Sequence, residues 1–303
     1  MYEGAVLSKA RSRIRDALDT WLIIPLKLIW SRPLARVGLI ILAIYVVFGL
    51  IGPYIWPFNW NAVNVSLQYL PPSKAHPLGT TVNGYDLLRA FANGTWPSIY
   101  TDLLFALMVT LTAYIMGCIS ALKGGLFDET LMRFVDIIIV LPSTALFLIL
   151  QVIIPLKGLL VIIVILWLFS WEGYARSIRS AALSVAQNDF VKLSKAFGAS
   201  NLYIIFHDLT PLIAPYLYSL FIGAMIGGIF AINGLIFLGF ASASVITWGE
   251  ILGWGPNGLI YKDPWALIEP LLVITIFIMA LVFLNTASDV LFNPRIRVEK
   301  YGK

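Results

Sequence analysis

An all-α integral membrane protein with about six transmembrane helices is the fold class that this 303-residue sequence predicts. Three observations lead there. Hydrophobic residues make up 59% of the chain and charged residues only 12%, against roughly 45–50% and about 25% in a soluble domain. Several apolar runs approach or exceed the roughly 18–20 residues that a helix needs to cross a hydrocarbon layer about 30 Å thick. The Lys and Arg residues, finally, sit between those runs and alternate strongly from one gap to the next.

Taken in order, the chain opens with a basic segment, 1–36, in which Ile14, Ala17, Leu18, Trp21 and Leu22 recur at helical spacing. An interfacial helix over 14–30, lying on the inner leaflet, is expected from that pattern. The first apolar run, Val37–Trp56, is long enough to stay in the membrane and reads as a retained span rather than a cleaved leader. The first span is assigned to 37–57, an outer loop to 58–97, a permease core to 98–287 and a tail to 288–303. Within the core the expected spans are Ser98–Leu122, Phe134–Ile154, Gly158–Trp171, Pro211–Phe240 and Ala266–Ala287. Gly158–Trp171 is short and requires tilt or a thin local bilayer. An N-in, C-in orientation places 17 of the 21 Lys and Arg on the inner side and leaves Lys74, Arg89, Lys157 and Lys262 outside, as the positive-inside rule asks.

Composition also excludes functions. The net charge of +5 does not gather into one stripe, so nucleic acid is not an expected partner. Cys118 is the single cysteine and allows no disulfide framework or thiolate metal site. His76 and His207 have no carboxylate or Cys at ligand spacing, so no metal is expected. A Gly-x-x-x-x-Gly-Lys-Ser/Thr phosphate loop is missing from the sequence, and so is any His-Glu-x-x-His or paired-Asp constellation; no catalytic residue and no cofactor is expected. An intramembrane enzyme is thereby disfavoured, and a passive channel more often carries a filter loop or a charged ring.

The informative segment is the inner loop 172–210. Phe190, Val191, Leu193, Ser194 and Phe197 form a stripe at three- and four-residue spacing, with Asn188, Lys192 and Lys195 on other faces, and Gly198 follows in the position of a helix-ending C′ residue. A second short helix is expected from Asn201 to Pro211, whose lost N–H restricts it to the beginning of the next helix. Exposed short helices with aromatic anchors suit docking into a partner's groove; resting on lipid headgroups satisfies the same pattern.

Lys192–Ser200 with Ile204–Pro211 resembles the EAA loop of ABC-importer permeases: Gly198, Ala199, Ser200, Leu209 and Pro211 fall in register, while Lys192 stands at the Glu position, Leu193 and Ser194 at the two Ala positions and Thr210 at the Leu before the proline. His76–Gly94 is similar to the outer His-Pro-Leu-Gly-Thr segment of the second permease subunit in dipeptide, oligopeptide and nickel importers. Phe237–Gly239, Trp248–Gly249, Pro264–Trp265, Pro270 and Pro294–Arg295 match further stretches of that branch. The resemblance runs from about Ser31 to Arg297. It implies half of a translocation pathway for a peptide-type solute, with oligosaccharide or nickel cargo as alternatives. It further implies a homologous second permease, two ATP-binding subunits that supply the energy, and an extracytoplasmic solute-binding protein. The coupling residues it designates are Phe190, Lys192, Leu193, Lys195, Phe197, Gly198, Ala199, Ser200 and Pro211.

Polar groups at membrane depth are costly and are functional candidates by default. Gln151 and Asn233 lie deepest and are candidate pathway-lining residues; Asp136, Glu172, Glu269 and Asp289 read as interfacial. Gly223, Gly227 and Gly228 offer close helix approach on the fifth run. The outer aromatics Trp56, Trp60, Tyr69, Trp96, Tyr100, Trp248, Trp254, Tyr261 and Trp265 read as an interfacial belt.

Overall fold

A computed structural model describes residues 27, 29–61, 63–142, 146–147, 149–150, 153, 157–256, 264–288 and 291. The expected interfacial helix lies almost wholly outside these residues, as do Gln151, Tyr261 and Asp289. The described residues form a helical bundle without strands, apart from isolated bridges at Thr80–Asp86 and Lys157–Ser242. The helices are α1 Pro33–Ile55, α2 Leu87–Lys123, α3 Gly125–Val140, α4 Leu159–Leu168, α5 Glu172–Ala186, α6 Asp189–Ala196, α7 Asn201–Phe237, α8 Trp248–Gly253 and α9 Trp265–Asn285.

Among the described residues, α1, α2, α7 and α9 are each long and apolar enough to cross a membrane, and α4 with α5 passes the same test only as a pair bent by 51°. The short fourth run is thus not one tilted span. Its ten helical residues reach about 15 Å, half the hydrocarbon thickness, before Phe169 leaves helical geometry and α5 turns away as an amphipathic helix. The third run starts earlier than expected, at Gly125, and α3 ends at Val140, where Pro142 disfavours helical geometry in the residue before it; the remainder of that run is only partly described.

α2 is the axis of the bundle and packs against α1, α5 and α7. It begins at Leu87 rather than near Ser98, because Asp86 caps it by accepting from the Arg89 N–H at 3.1 Å. Pro97 is carried inside the helix; Ser98 and Thr101 fold their hydroxyls back onto the carbonyls of Gly94 and Pro97 around it. α1 buries only Ala35, Gly38, Gly49 and Gly52. A Cβ at Gly38 would stand 2.6 Å from the Ala280 oxygen of α9, and one at Gly49 2.9 Å from the Trp96 nitrogen of α2. Small residues let the backbones meet, as membrane helix packing favours, and the remaining face of α1 is exposed. On α7 a close approach occurs at Gly228, against the Phe105 ring, whereas Gly223 faces open space.

Trp248 closes one end of the bundle. It is fully buried, with its ring 6.0 Å from Tyr45 and 5.0 Å from Phe277, and its indole N–H reaches the Thr95 hydroxyl at 3.3 Å. Phe58, Trp60, Tyr85 and Trp254 form a second aromatic cluster at the same end, with centroids 5.2 to 6.3 Å apart. Trp248 therefore departs from the expected belt, whereas Trp60 is 44% exposed. An indole with an internal acceptor gains more from burial than from the interface.

Candidate coupling surface

At the opposite end, α6 projects from the bundle between α5 and α7. Val191 turns inward and is fully buried, while Phe190, Leu193 and Phe197 stay exposed, Phe197 at 88%. The stripe read from the sequence is thus split: one residue fastens the helix, and the aromatics beside it are left without a cover among the described residues. Gly198 takes φ +81°, the Gly198 N–H bonds the Lys195 carbonyl and the Ala199 N–H the Ser194 carbonyl, each at 3.0 Å. Both bonds of a Schellman ending are present, and the left-handed residue turns the chain sharply. Ser200 then caps α7 by accepting from the Tyr203 N–H at 3.2 Å. Ala199 is half-buried against the core.

The two lysines differ. Lys195 donates to the Leu122 carbonyl at 3.1 Å, so a cation caps the C-terminal end of α2 and ties α6 to it. Lys192 is exposed and reaches only its neighbour Asp189, at 3.2 Å; an exposed pair of this kind stabilises little.

The separate helix expected to end at Pro211 does not form. Asn201–Tyr203 runs through a π-helical turn, Ile204–Leu209, directly into the long helix α7. Pro211 has no N–H to give and its ring crowds the carbonyl four residues back, so the ladder widens just before it: the Thr210 N–H bonds Ile205, five residues earlier. Tyr114 on α2 braces this turn through a 2.5 Å hydroxyl contact with Thr210. Leu202, Tyr203 and Phe206 are exposed and extend the apolar surface from α6 along α7.

α5, which leads into α6, is fastened to α3 by ion pairs. Arg179 grips Asp128 with two hydrogen bonds of 2.5 Å, and Ser120 of α2 also donates to Asp128. The Arg179 guanidinium beside it holds the Asp128 carboxyl below the usual carboxylate range. Arg176 pairs with Asp136 two turns further along α3.

Elsewhere the structure reassigns residues. Asn233 is buried; its amide nitrogen donates to the Ile229 carbonyl at 2.9 Å and its oxygen accepts from the Gly249 N–H at 2.8 Å. It clamps α8 to α7, and within this chain it has no open surface from which to line a pathway. His76 lies 2.8 Å from Asp86 across the outer segment, a pairing hidden by ten residues of separation. Together with Arg89 they border a cavity of about 220 Å³. Asp102, passed over in the sequence, is fully buried on α2, and neither carboxyl oxygen finds a hydrogen-bond partner among the described residues. A lone carboxylate in the second apolar run was the available signal.

Residues 113–298, which span α5, α6 and the π turn, match the binding-protein-dependent transport system inner membrane component family. The chain belongs to that family. Residues 26–72 also match the N-terminal TM domain of oligopeptide transport permease C. Among relatives of this inner membrane component, the dipeptide transport system permease protein of Bacillus subtilis is 29% identical over 97% of this chain and 93% of its own length. The probable D,D-dipeptide transport system permease protein of Escherichia coli is 31% identical over 79% of this chain and 80% of its own. The nickel transport system permease protein of Escherichia coli is 27% identical over 89% and 97%. The chain is accordingly a multi-pass inner-membrane permease of the ABC-importer type.

Proposed function

We propose that this permease forms half of the pathway by which a peptide-type solute, a dipeptide or oligopeptide, enters the cell, with six spans and both termini inside. A homologous second permease supplies the other half, two ATP-binding subunits drive the cycle, and an extracytoplasmic binding protein delivers solute to the α8 end. The chain itself neither binds nor hydrolyses ATP. The similarity to peptide permeases over most of the chain supports the cargo; nickel is the second reading, supported by the similarity to the nickel permease.

The observation that carries the coupling role is α6: a helix held by Val191 and Lys195 that presents Phe190, Leu193 and Phe197 to the outside. Exposed aromatics gain most when a partner groove covers them, and truncating such an anchor typically costs about 2 kcal/mol or more of binding. Gly198 sets the angle at which the helix is offered. The test is copurification of the ATPase together with solute uptake. Phe197→Ala is expected to lose both while the permease still folds, and Lys192→Ala to keep both. Full coupling in Phe197→Ala with loss in Lys192→Ala would refute the assignment.

A further inference from the structure

The segment between α1 and α2 builds a small cavity beside α8. Its apolar wall belongs to the aromatic cluster: Phe58 and Tyr85 stand 5.2 Å apart, and both lie within 6.3 Å of Trp254, the residue after α8. Its polar wall is His76, Asp86 and Arg89. Asp86 is fully committed there, since Oδ1 accepts the Arg89 N–H at 3.1 Å and Oδ2 meets the His76 Nδ1 at 2.8 Å. Its charge is also offset by the N-terminal end of α2 that it caps. Arg89 differs. It is exposed, and no ion pair among the described residues includes its guanidinium. The surrounding face has the same sign. With α8 and the first turn of α2, the described outer segments expose Lys74, Arg89 and Lys157, whereas Asp86 is engaged and Glu250 is half-buried.

We infer that this cavity is a socket for one acidic side chain of the extracytoplasmic binding protein, whose carboxylate pairs with Arg89 while its methylene stem lies against Phe58 and Leu67. The inference rests on the reading above that such a protein delivers solute to the α8 end. Size favours a single side chain, because about 220 Å³ falls below the roughly 300–1,000 Å³ of pockets that enclose a whole small molecule. Charge favours an acid. The charged group left open is a guanidinium, whose planar fork takes a carboxylate through two parallel hydrogen bonds. The apolar wall shields that pair from water, and a shielded charge pair holds a complex together where an exposed one merely steers it. A side chain seated here stands between the start of α2 and the end of α8, so the binding protein is held at the joint of the two helices.

The test uses the assembled importer in nanodiscs of zwitterionic phospholipid and the solute-binding protein that supports its uptake, with the dissociation constant measured at one fixed ionic strength. Arg89→Gln should weaken docking roughly tenfold or more, and Arg89→Lys, which keeps the charge but loses the fork, should fall between. The backbone N–H that Asp86 accepts is kept in both variants, so the cap of α2 is not at stake. Lys74→Gln, which removes an exposed cation of the same segment outside the cavity, should shift docking by no more than about twofold. Single Asp→Asn and Glu→Gln replacements across the surface of the binding protein then locate the occupant. One of those amides is expected to cost about tenfold against wild type and less than about twofold against Arg89→Gln, the mark of a coupled pair. Unchanged docking in Arg89→Gln, or equal losses in Arg89→Gln and Lys74→Gln, would overturn the socket; a set of amides with no member coupled to Arg89 would overturn its acidic occupant. Failure of the binding protein to dock on wild type would strike the delivery reading itself, and the socket with it.

Discussion

The α8 end and the α6 end of this permease are built on opposite principles. At the α8 end, Trp248 is sunk among Tyr45, Phe277 and Thr95, and the Asn233 amide is occupied on both sides by Ile229 and Gly249. At the α6 end, one buried valine and one lysine hold a helix whose phenylalanines stay exposed among the described residues. Both ends are rich in aromatics, so composition does not tell them apart. The difference lies in whether each ring finds its partner among the described residues; under the proposed coupling role, the rings of one end are finished by folding and those of the other are completed by assembly.

That contrast is breakable by mutation. The largest effect is expected for Trp248→Ala, which empties a fully enclosed site and should destabilise by about 3–5 kcal/mol. Thermal unfolding in detergent should show a clear drop, whereas Phe197→Ala should unfold at the wild-type temperature and fail only in attachment to the ATPase. Equal thermal losses in the two variants would erase the distinction. Next, Asn233→Ala strips the Gly249 N–H of its acceptor and should cost about 1 kcal/mol, near the range of hydrogen bonds in membrane bundles. A smaller and conditional effect is expected at Asp128. Because its folded-state pKa is depressed, the stabilisation it gives is present above the ordinary carboxylate pKa and is lost as pH falls through the lowered value. Asp128→Asn should accordingly remove part of the acid sensitivity of α3–α5 packing, read as hydrogen exchange of α5 at neutral pH and at pH below the ordinary carboxylate pKa. Lys192→Ala, at an exposed i,i+3 pair, should change stability by no more than a few tenths of a kcal/mol.

Local grammar was legible in the sequence wherever it was written in single residues. Gly198 announced the end of α6 and its left-handed turn, Ser200 stood at the start of the next helix, and the apolar runs located α1 and α9 to within a few residues, while α7 starts ten residues before its run. What escaped depended on pairings across the bundle. Pro211 read as a boundary because proline usually is one, yet a π turn carried the helix through, and hydroxyl back-bonds likewise carry α2 past Pro97. Asn233 read as a free polar group because its partner, the Gly249 N–H, belongs to backbone and leaves no mark in composition. Trp248 read as an interfacial residue since an aromatic in an outer segment looks the same whether a hydroxyl on another helix awaits it or not. His76 and Asp86 met only because the loop between them folds back.

α2 deserves a last consequence. Lys195 grips its final turn at Leu122, and the Trp248 indole rests on Thr95 near its beginning, 27 residues away, so that about 40 Å of unbroken helix separates the two attachments. A helix of that length, lacking only the backbone bond that Pro97 cannot donate, is stiff along its axis. A tug on one attachment is delivered at the other with little lost on the way, like a pushrod joining two valves. The seat of Trp248 and the seat of α6 are therefore not independent joints, and a fault in either is expected to be felt at both.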